Sequence, residues 1–214
     1  RMEDFYRWQR VRLGYLVDGD QPVGGRWNFD DQNREPPPKA ANPWPTPVRS
    51  ALDDVDRAVL GAIGPAGFGA DPAGWWPTSR RQALARLRHA VDVVLPMFGP
   101  HEDVIVERSW HVAHTLLSPA LNIGLLLPGE VADAAEEAYR DGRVPIASAE
   151  GFVRQVIGWR EYVWGTYWHH MPGYQDRNAL RAHEPLPVAF TEPGRTEMRC
   201  VAHVLRDVHD HGWT

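Results

Sequence analysis

The sequence predicts a mainly α-helical protein, and three observations carry that expectation. Apolar residues recur at helical spacing, as in Leu52, Val55, Val59, Leu60 and Ile63. Helix-start chemistry accompanies such runs, for example Ser79 followed three residues later by Gln82. No segment of any length alternates apolar and polar residues with the period of two that marks a half-buried strand.

Taken in order, Phe5-Tyr6-Arg7-Trp8 through Leu13 and Leu16 predicts a short amphipathic helix. It runs into Asp18-Gly19-Asp20, Gly24-Gly25 and Pro36-Pro37-Pro38, a density of glycine and proline that prevents long regular elements. Trp27, Phe29 and Trp44 are large apolar groups for a free linker, so residues 1–48 read as an ordered, packed loop. Helical patterning begins at residue 49, and Gly64-Pro65 stops the first helix. A second loop, Gly67 to Pro77, carries Phe68, Trp75 and Trp76. Behind Ser79, the stripe Leu84, Leu87, Val91, Val94 and Leu95 predicts a helix ended by Pro96. Further helices are expected over Glu107–Leu117 and Glu130–Tyr139. Ser148 is expected to cap a longer one, with Phe152, Val156, Trp159, Val163 and Tyr167 on one face. A last helix is expected over Thr196–His209.

Composition narrows the chemistry. A single cysteine, Cys200, excludes an internal disulfide and a cysteine-rich zinc site, and is compatible with a cytoplasmic setting. The net charge of −5 gives no global attraction for nucleic acid, so any such contact must be a local patch. No apolar run approaches the roughly 18 residues of a membrane helix. There is no Gly-rich dinucleotide fingerprint, phosphate-binding Walker loop or nucleophile elbow. His169-His170, His203, His209 and His211 match no zinc spacing. Acidic pairs Asp30-Asp31 and Glu102-Asp103 offer oxygens to a hard cation, or are exposed turns. The chain opens on Arg1, which leads us to expect a piece of a longer protein.

Two stretches carry the rest. In His114 to Gly124, the hydroxyls of Thr115 and Ser118 stand beside a proline, Asn122 and a glycine. Such a junction can bind a phosphate, or simply break one helix and cap the next turn. In Glu150 to Tyr162, Gln155, Trp159 and Tyr162 share a helix face with Arg160 beside them. They suit a flat polar ring system, or form an aromatic core stripe with ordinary ion pairs.

Motifs in collinear order then bear on both choices. Met2-Glu3-Asp4-Phe5-Tyr6-Arg7, Gly24-Gly25-Arg26-Trp27-Asn28-Phe29-Asp30 with Asn33-Arg34, and Phe98-Gly99 with Glu102-Asp103 come first. His114 to Leu126, Glu150 to Tyr162 with Tyr167-Trp168 and Met171-Pro172, and Thr196-x-Met198-x-Cys200 follow. With these the chain resembles the iron–sulfur bacterial cryptochromes and photolyases, whose activity is repair of (6-4) photoproducts. The resemblance implies the first part of a multi-helical FAD-binding domain over 49–214, with 1–48 as the loop connecting it to an antenna domain. Thr115, Leu117 and Ser118, with His114, Leu116 and Asn122 in the same segment, would line the FAD phosphates. Gln155, Trp159 and Arg160 would pass under the flavin and adenine. Asp30 and Asp103 match acidic positions for a divalent cation such as Mg2+. Cys200 matches one of four ligands of a [4Fe–4S] cluster; the other three are absent, so the chain alone is expected to be inactive. An antenna chromophore, UV-damaged DNA as partner and a monomeric state complete the expectations. No residue of the chain is assigned to catalysis. Glu192 stands where the family has an electron-relay tryptophan, which puts that route in doubt. A light sensor without repair, or a helical interaction module that has lost its cofactor, are the alternatives.

Overall fold

The structure, a computed structural model, describes residues 1–65, 69–70, 74–192 and 194–213. Helices run over Met2–Leu13 (α1), Asp54–Ile63 (α2), Arg80–His89 (α3), Leu95–Phe98 (α4), Ser118–Asn122 (α5), Pro128–Arg140 (α6), Ile146–Val153 (α7), Arg160–His170 (α8) and Arg199–His211 (α9). Val17–Asp18 (β1) and Gln21–Pro22 (β2) form a two-residue antiparallel ladder with Val17 opposite Pro22. The fold is mainly helical, as the periodicity predicts. The chain divides into two units, Arg1–Val48 with Trp76–Met171, and Arg49–Trp75 with Pro172–Thr214.

In the first unit, α1 ends where Gly14 adopts a left-handed conformation, and the chain turns into the β1–β2 hairpin. Arg10 fixes that turn: its guanidinium is fully buried and donates to the carbonyls of Tyr15, Leu16 and Trp27. Tyr6, Leu16, Leu87, Val91, Leu95, Phe98, Val131, Ala132, Ala135, Val153 and Val156 belong to one buried core. Small residues on α6 leave room for α7 to approach it, since each alanine keeps the facing helix close without a cavity.

Several local expectations are corrected here. Pro96 does not end its helix. Residues Ala90–Val94 form a π-helical segment whose widened turn shifts the hydrogen-bond register, so Pro96 falls in the first turn of α4, where its missing N–H costs little. No helix covers 107–117. Ser109 Oγ accepts the Val112 N–H, and Val112 and Leu116 take positive φ of 47° and 55°, which a right-handed helix excludes. Ser148 is not a cap: Pro145 precedes α7, and Ser148 Oγ, fully buried, accepts the Gly99 N–H at 2.7 Å instead. Ser79 does cap α3, its Oγ accepting the Gln82 N–H, while the Gln82 carbonyl oxygen accepts from Thr78 N and Oγ1. The stripe from Phe152 to Tyr167 splits, because Arg154–Trp159 is a second π-helical segment. An extra residue in one turn rotates the next face by roughly 100°. Phe152 and Val156 are buried, whereas Trp159, Val163 and Tyr167 are exposed.

In the second unit, Asp53 caps α2 by accepting the Asp56 N–H, and Asp56 returns the bond to the Asp53 N–H. The Gly69 N–H donates to the His209 carbonyl of α9, and the Ser50 N–H to Gly74. The Arg49 guanidinium lies 3.8 Å above the Trp75 ring. Of the expected aromatic loop 67–77, residues 67–68 (with Phe68) and 71–73 lie outside the described residues. Trp76 belongs to the first unit, edge-on to Trp110.

Candidate functional site

Three segments of the first unit enclose a cavity of about 570 Å3. Phe98 at the end of α4 and the turn Glu102-Asp103 form one wall. His114 to Ser118 and the short α5 with Leu121 and Asn122 form the second. Phe152, Gln155, Val156 and Arg160, along α7, the π segment and the start of α8, form the third. The left-handed turn at Leu116 lets both Thr115 and Ser118 reach the same space. The size lies in the usual range of ligand clefts, about 300–1,000 Å3, and apolar and polar side chains share the lining.

Behind the third wall lies a buried ionic network. Glu150 is fully buried and accepts from Tyr6 Oη at 2.9 Å, the Phe29 N–H at 2.8 Å and Arg154 Nε at 3.2 Å. Burial pushes the Glu150 carboxyl above its ordinary range, against the pull of Arg154 and its two hydrogen bonds. Burial also works against the Arg154 charge, but Glu150, Glu102, Tyr6 and Asp30 outweigh it and raise its pKa. Tyr6 is driven well above a normal phenol, first by burial and then by the Glu150 charge. Arg154 continues to Glu102 at 3.6 Å, which lines the cavity. At the cavity itself, burial lowers the His114 pKa despite Glu102 and Asp103 nearby, and the ring stands edge-on to Phe98.

The residues singled out in the sequence fall as follows. His114, Thr115, Leu116, Leu117, Ser118, Asn122, Gln155 and Arg160 line the cavity together. Trp159 is not part of the lining; it is 44% exposed and sits edge-on to Tyr162. Gln155 and Trp159 both lie within the π segment. Asp103 is a lining residue and Asp30 is not, but Arg34 joins both, at 3.4 Å from Asp103. Their carboxylates are thus committed to a guanidinium, which does not suit a cation held between them. Cys200 is exposed near the start of α9. Among the described residues no group of three or more histidine, cysteine, aspartate and glutamate side chains is placed to hold a metal ion. One thiol does not make a [4Fe–4S] site. Phe98, Glu102, Leu121, Phe152 and Val156 complete the lining. The apolar ones carried only a core signal in the sequence, and Glu102 only that of an acidic turn.

The cleft of this helical unit combines aromatic walls with hydroxyls, amides, two carboxylates, an imidazole and one guanidinium. A family profile described as deoxyribodipyrimidine photo-lyase-related protein matches residues 1–68. A (6-4) photolyase of Agrobacterium fabrum is 39% identical over 99% of this chain. The chain spans 42% of that relative's length. An uncharacterized protein of Acanthamoeba polyphaga mimivirus is 35% identical over 63 residues, 29% of this chain and 48% of the viral one. The chain belongs to the photolyase-related family. Among the described residues no helix is long and apolar enough to cross a membrane.

Proposed function

We propose that this chain supplies the FAD cavity of a light-driven DNA lyase that reverses (6-4) photoproducts. The observation that carries the reading is the convergence of His114 to Ser118, Asn122, Gln155 and Arg160 on one cavity of ligand size. The chemistry of the lining fits a dinucleotide. Thr115 and Ser118 bring hydroxyl donors and Arg160 a guanidinium for phosphate oxygens. Phe98, Phe152, Leu117 and Val156 give flat apolar surface for rings. Bound FAD supplies light-driven electron transfer to a lesion flipped out of the duplex. The residues of this chain bind it, orient it and exclude water from it.

The activity, the UV-damaged DNA substrate and a cytoplasmic, monomeric state are assigned to the protein as a whole. Cys200 contributes at most one thiolate to an iron–sulfur cluster, whose other ligands would come from outside this chain. The test is an absorbance spectrum of the whole purified protein to which this chain belongs, followed by a repair assay under blue light. Flavin bands that co-purify, together with loss of (6-4) lesions in light but not in darkness, are expected. A protein that neither retains nor binds FAD would overturn the reading and favour a helical interaction module. Flavin without repair would assign a photoreceptor instead.

A further inference from the structure

Glu102 is where the cavity meets the buried network, and three side chains converge on its carboxylate. Gln155 Nε2 donates to Oε1 at 2.5 Å, Asn33 Nδ2 donates to Oε2, and an Arg154 nitrogen lies 3.6 Å from Oε2. The Glu102 side chain is only 10% exposed, so these partners, not bulk water, hold it. The packing around it is close. A Cβ on Gly151 would stand 2.6 Å from Glu102 Oε2 and 2.7 Å from Asn33 Nδ2, so α7 passes beside the carboxylate only because residue 151 has no side chain.

A carboxylate offers acceptors only. The Gln155 amide can meet it solely through its NH2 end, and its carbonyl Oε1 is thereby turned the other way. Among the described residues no donor reaches that oxygen, and Gln155 is a lining residue of the cavity. A glutamine alone could present either end to a ligand. Paired with Glu102, it has one orientation.

We propose that Glu102 is a positioning residue for ligand recognition: by fixing the Gln155 amide it makes this wall accept a hydrogen bond from an N–H group of the bound ligand. The inference rests on the FAD reading above. FAD carries two such donors on its rings, the imide N–H of the isoalloxazine and the exocyclic amine of adenine. The chemistry at Gln155 is the same for both, and analogues that remove one donor each separate them.

The experiment is a fluorescence titration of the apoprotein with FAD, N3-methyl-FAD and 1,N6-etheno-FAD, in wild type, E102Q and E102D. Wild type should prefer FAD over one analogue by about 10- to 100-fold, the scale of a hydrogen bond lost at a desolvated acceptor. E102Q, whose amide can donate as well as accept, frees Gln155 to rotate and should bind FAD and that analogue within about threefold. E102D keeps the charge and should keep the preference. Equal binding of FAD and both analogues by wild type, or an undiminished preference in E102Q, overturns the inference. If E102Q does not fold, Q155M decides with Glu102 intact: loss of the preference supports the inference and retention overturns it. Wild type that binds no FAD would instead remove the reading of the cavity, and this inference with it.

Discussion

The two units of the chain spend their polar residues in opposite ways. The first buries charge: Glu150, Arg154 and Arg10 lie almost wholly inside, each with several partners. In the second, neither α2 nor α9 buries a single residue, and the ion pairs, such as Arg57 with Asp54, lie at the surface. A buried charge is tolerable only where neighbouring elements deliver enough donors and acceptors to replace water. The first unit largely meets that condition because α1, the 29–34 loop, the 102–103 turn and α7 all point polar groups at one place, although Arg154 Nη2 and Asn33 Oδ1 are buried there without a hydrogen bond. The lesson is that its ionic network is a device for holding elements in register behind a cavity, and a poor source of stability in itself. The comparison predicts that single substitutions in the first unit act through unpaired groups and close packing, whereas those in the second act only through helix propensity.

The largest effect is expected for Glu150→Ala. It removes an acceptor shared by Tyr6, the Phe29 N–H and Arg154, and should cost about 3–5 kcal/mol in chemical denaturation. A loss under about 1 kcal/mol would break the comparison at its strongest point. The pH sign can be checked on the same residue. The folded pKa of Glu150 lies above the unfolded value, so its stability contribution is full below the unfolded pKa and declines as pH rises through the folded one. Glu130 at the surface has the opposite sign. Its hydrogen bond from Arg80, with a second from the Leu127 N–H, draws it down to about 2, so its contribution is full above the unfolded pKa and is lost as pH falls toward 2. E150Q and E130Q should therefore flatten different limbs of a stability–pH curve measured by thermal melts.

Gly99→Ala is next. A Cβ there would lie 2.5 Å from the Ser148 nitrogen and 2.7 Å from its Oγ, so α4 and α7 must separate. About 1–3 kcal/mol is expected to be lost, with weakened ligand binding because Phe98 and Phe152 belong to the segments that move. Unchanged stability would show that these helices can shift freely. Tyr15→Phe should cost less, about 0.5–1.5 kcal/mol, by removing the 2.7 Å hydrogen bond to Asp133 at the edge of the unit.

These positions also mark what the sequence could convey. Helix existence in α1, α2, α6 and α9 was legible, because a sustained 3.6-residue period with caps is a local signal. Which residues join the cavity was legible only through whole motifs, since Thr115 and Gln155 come together from segments 40 residues apart. What could not be read was the register change at Ala90–Val94 and Arg154–Trp159. A π turn has no residue signature, yet it decided that Pro96 continues a helix. Ser148 misled for a related reason: as a local signal it resembles a cap, but a buried N–H from Gly99 claims its oxygen. The stretch 107–117 carries apolar spacing without helix, because its backbone turns left-handed at Val112.

The smallest effect tests the second unit. Val55 on α2 is 70% exposed, so truncating it removes little buried area. Alanine has the higher helix propensity, worth up to about 0.5 kcal/mol over valine. Val55→Ala should therefore leave stability unchanged or raise it slightly, as read by chemical denaturation. A loss above about 1 kcal/mol would mean that this face of α2 is covered in solution, and the contrast between the two units would then be one of partners rather than of sequence. The same measurement over a tenfold range of protein concentration separates the two cases, because a face covered by a second copy gains stability with concentration and a face covered within the chain does not.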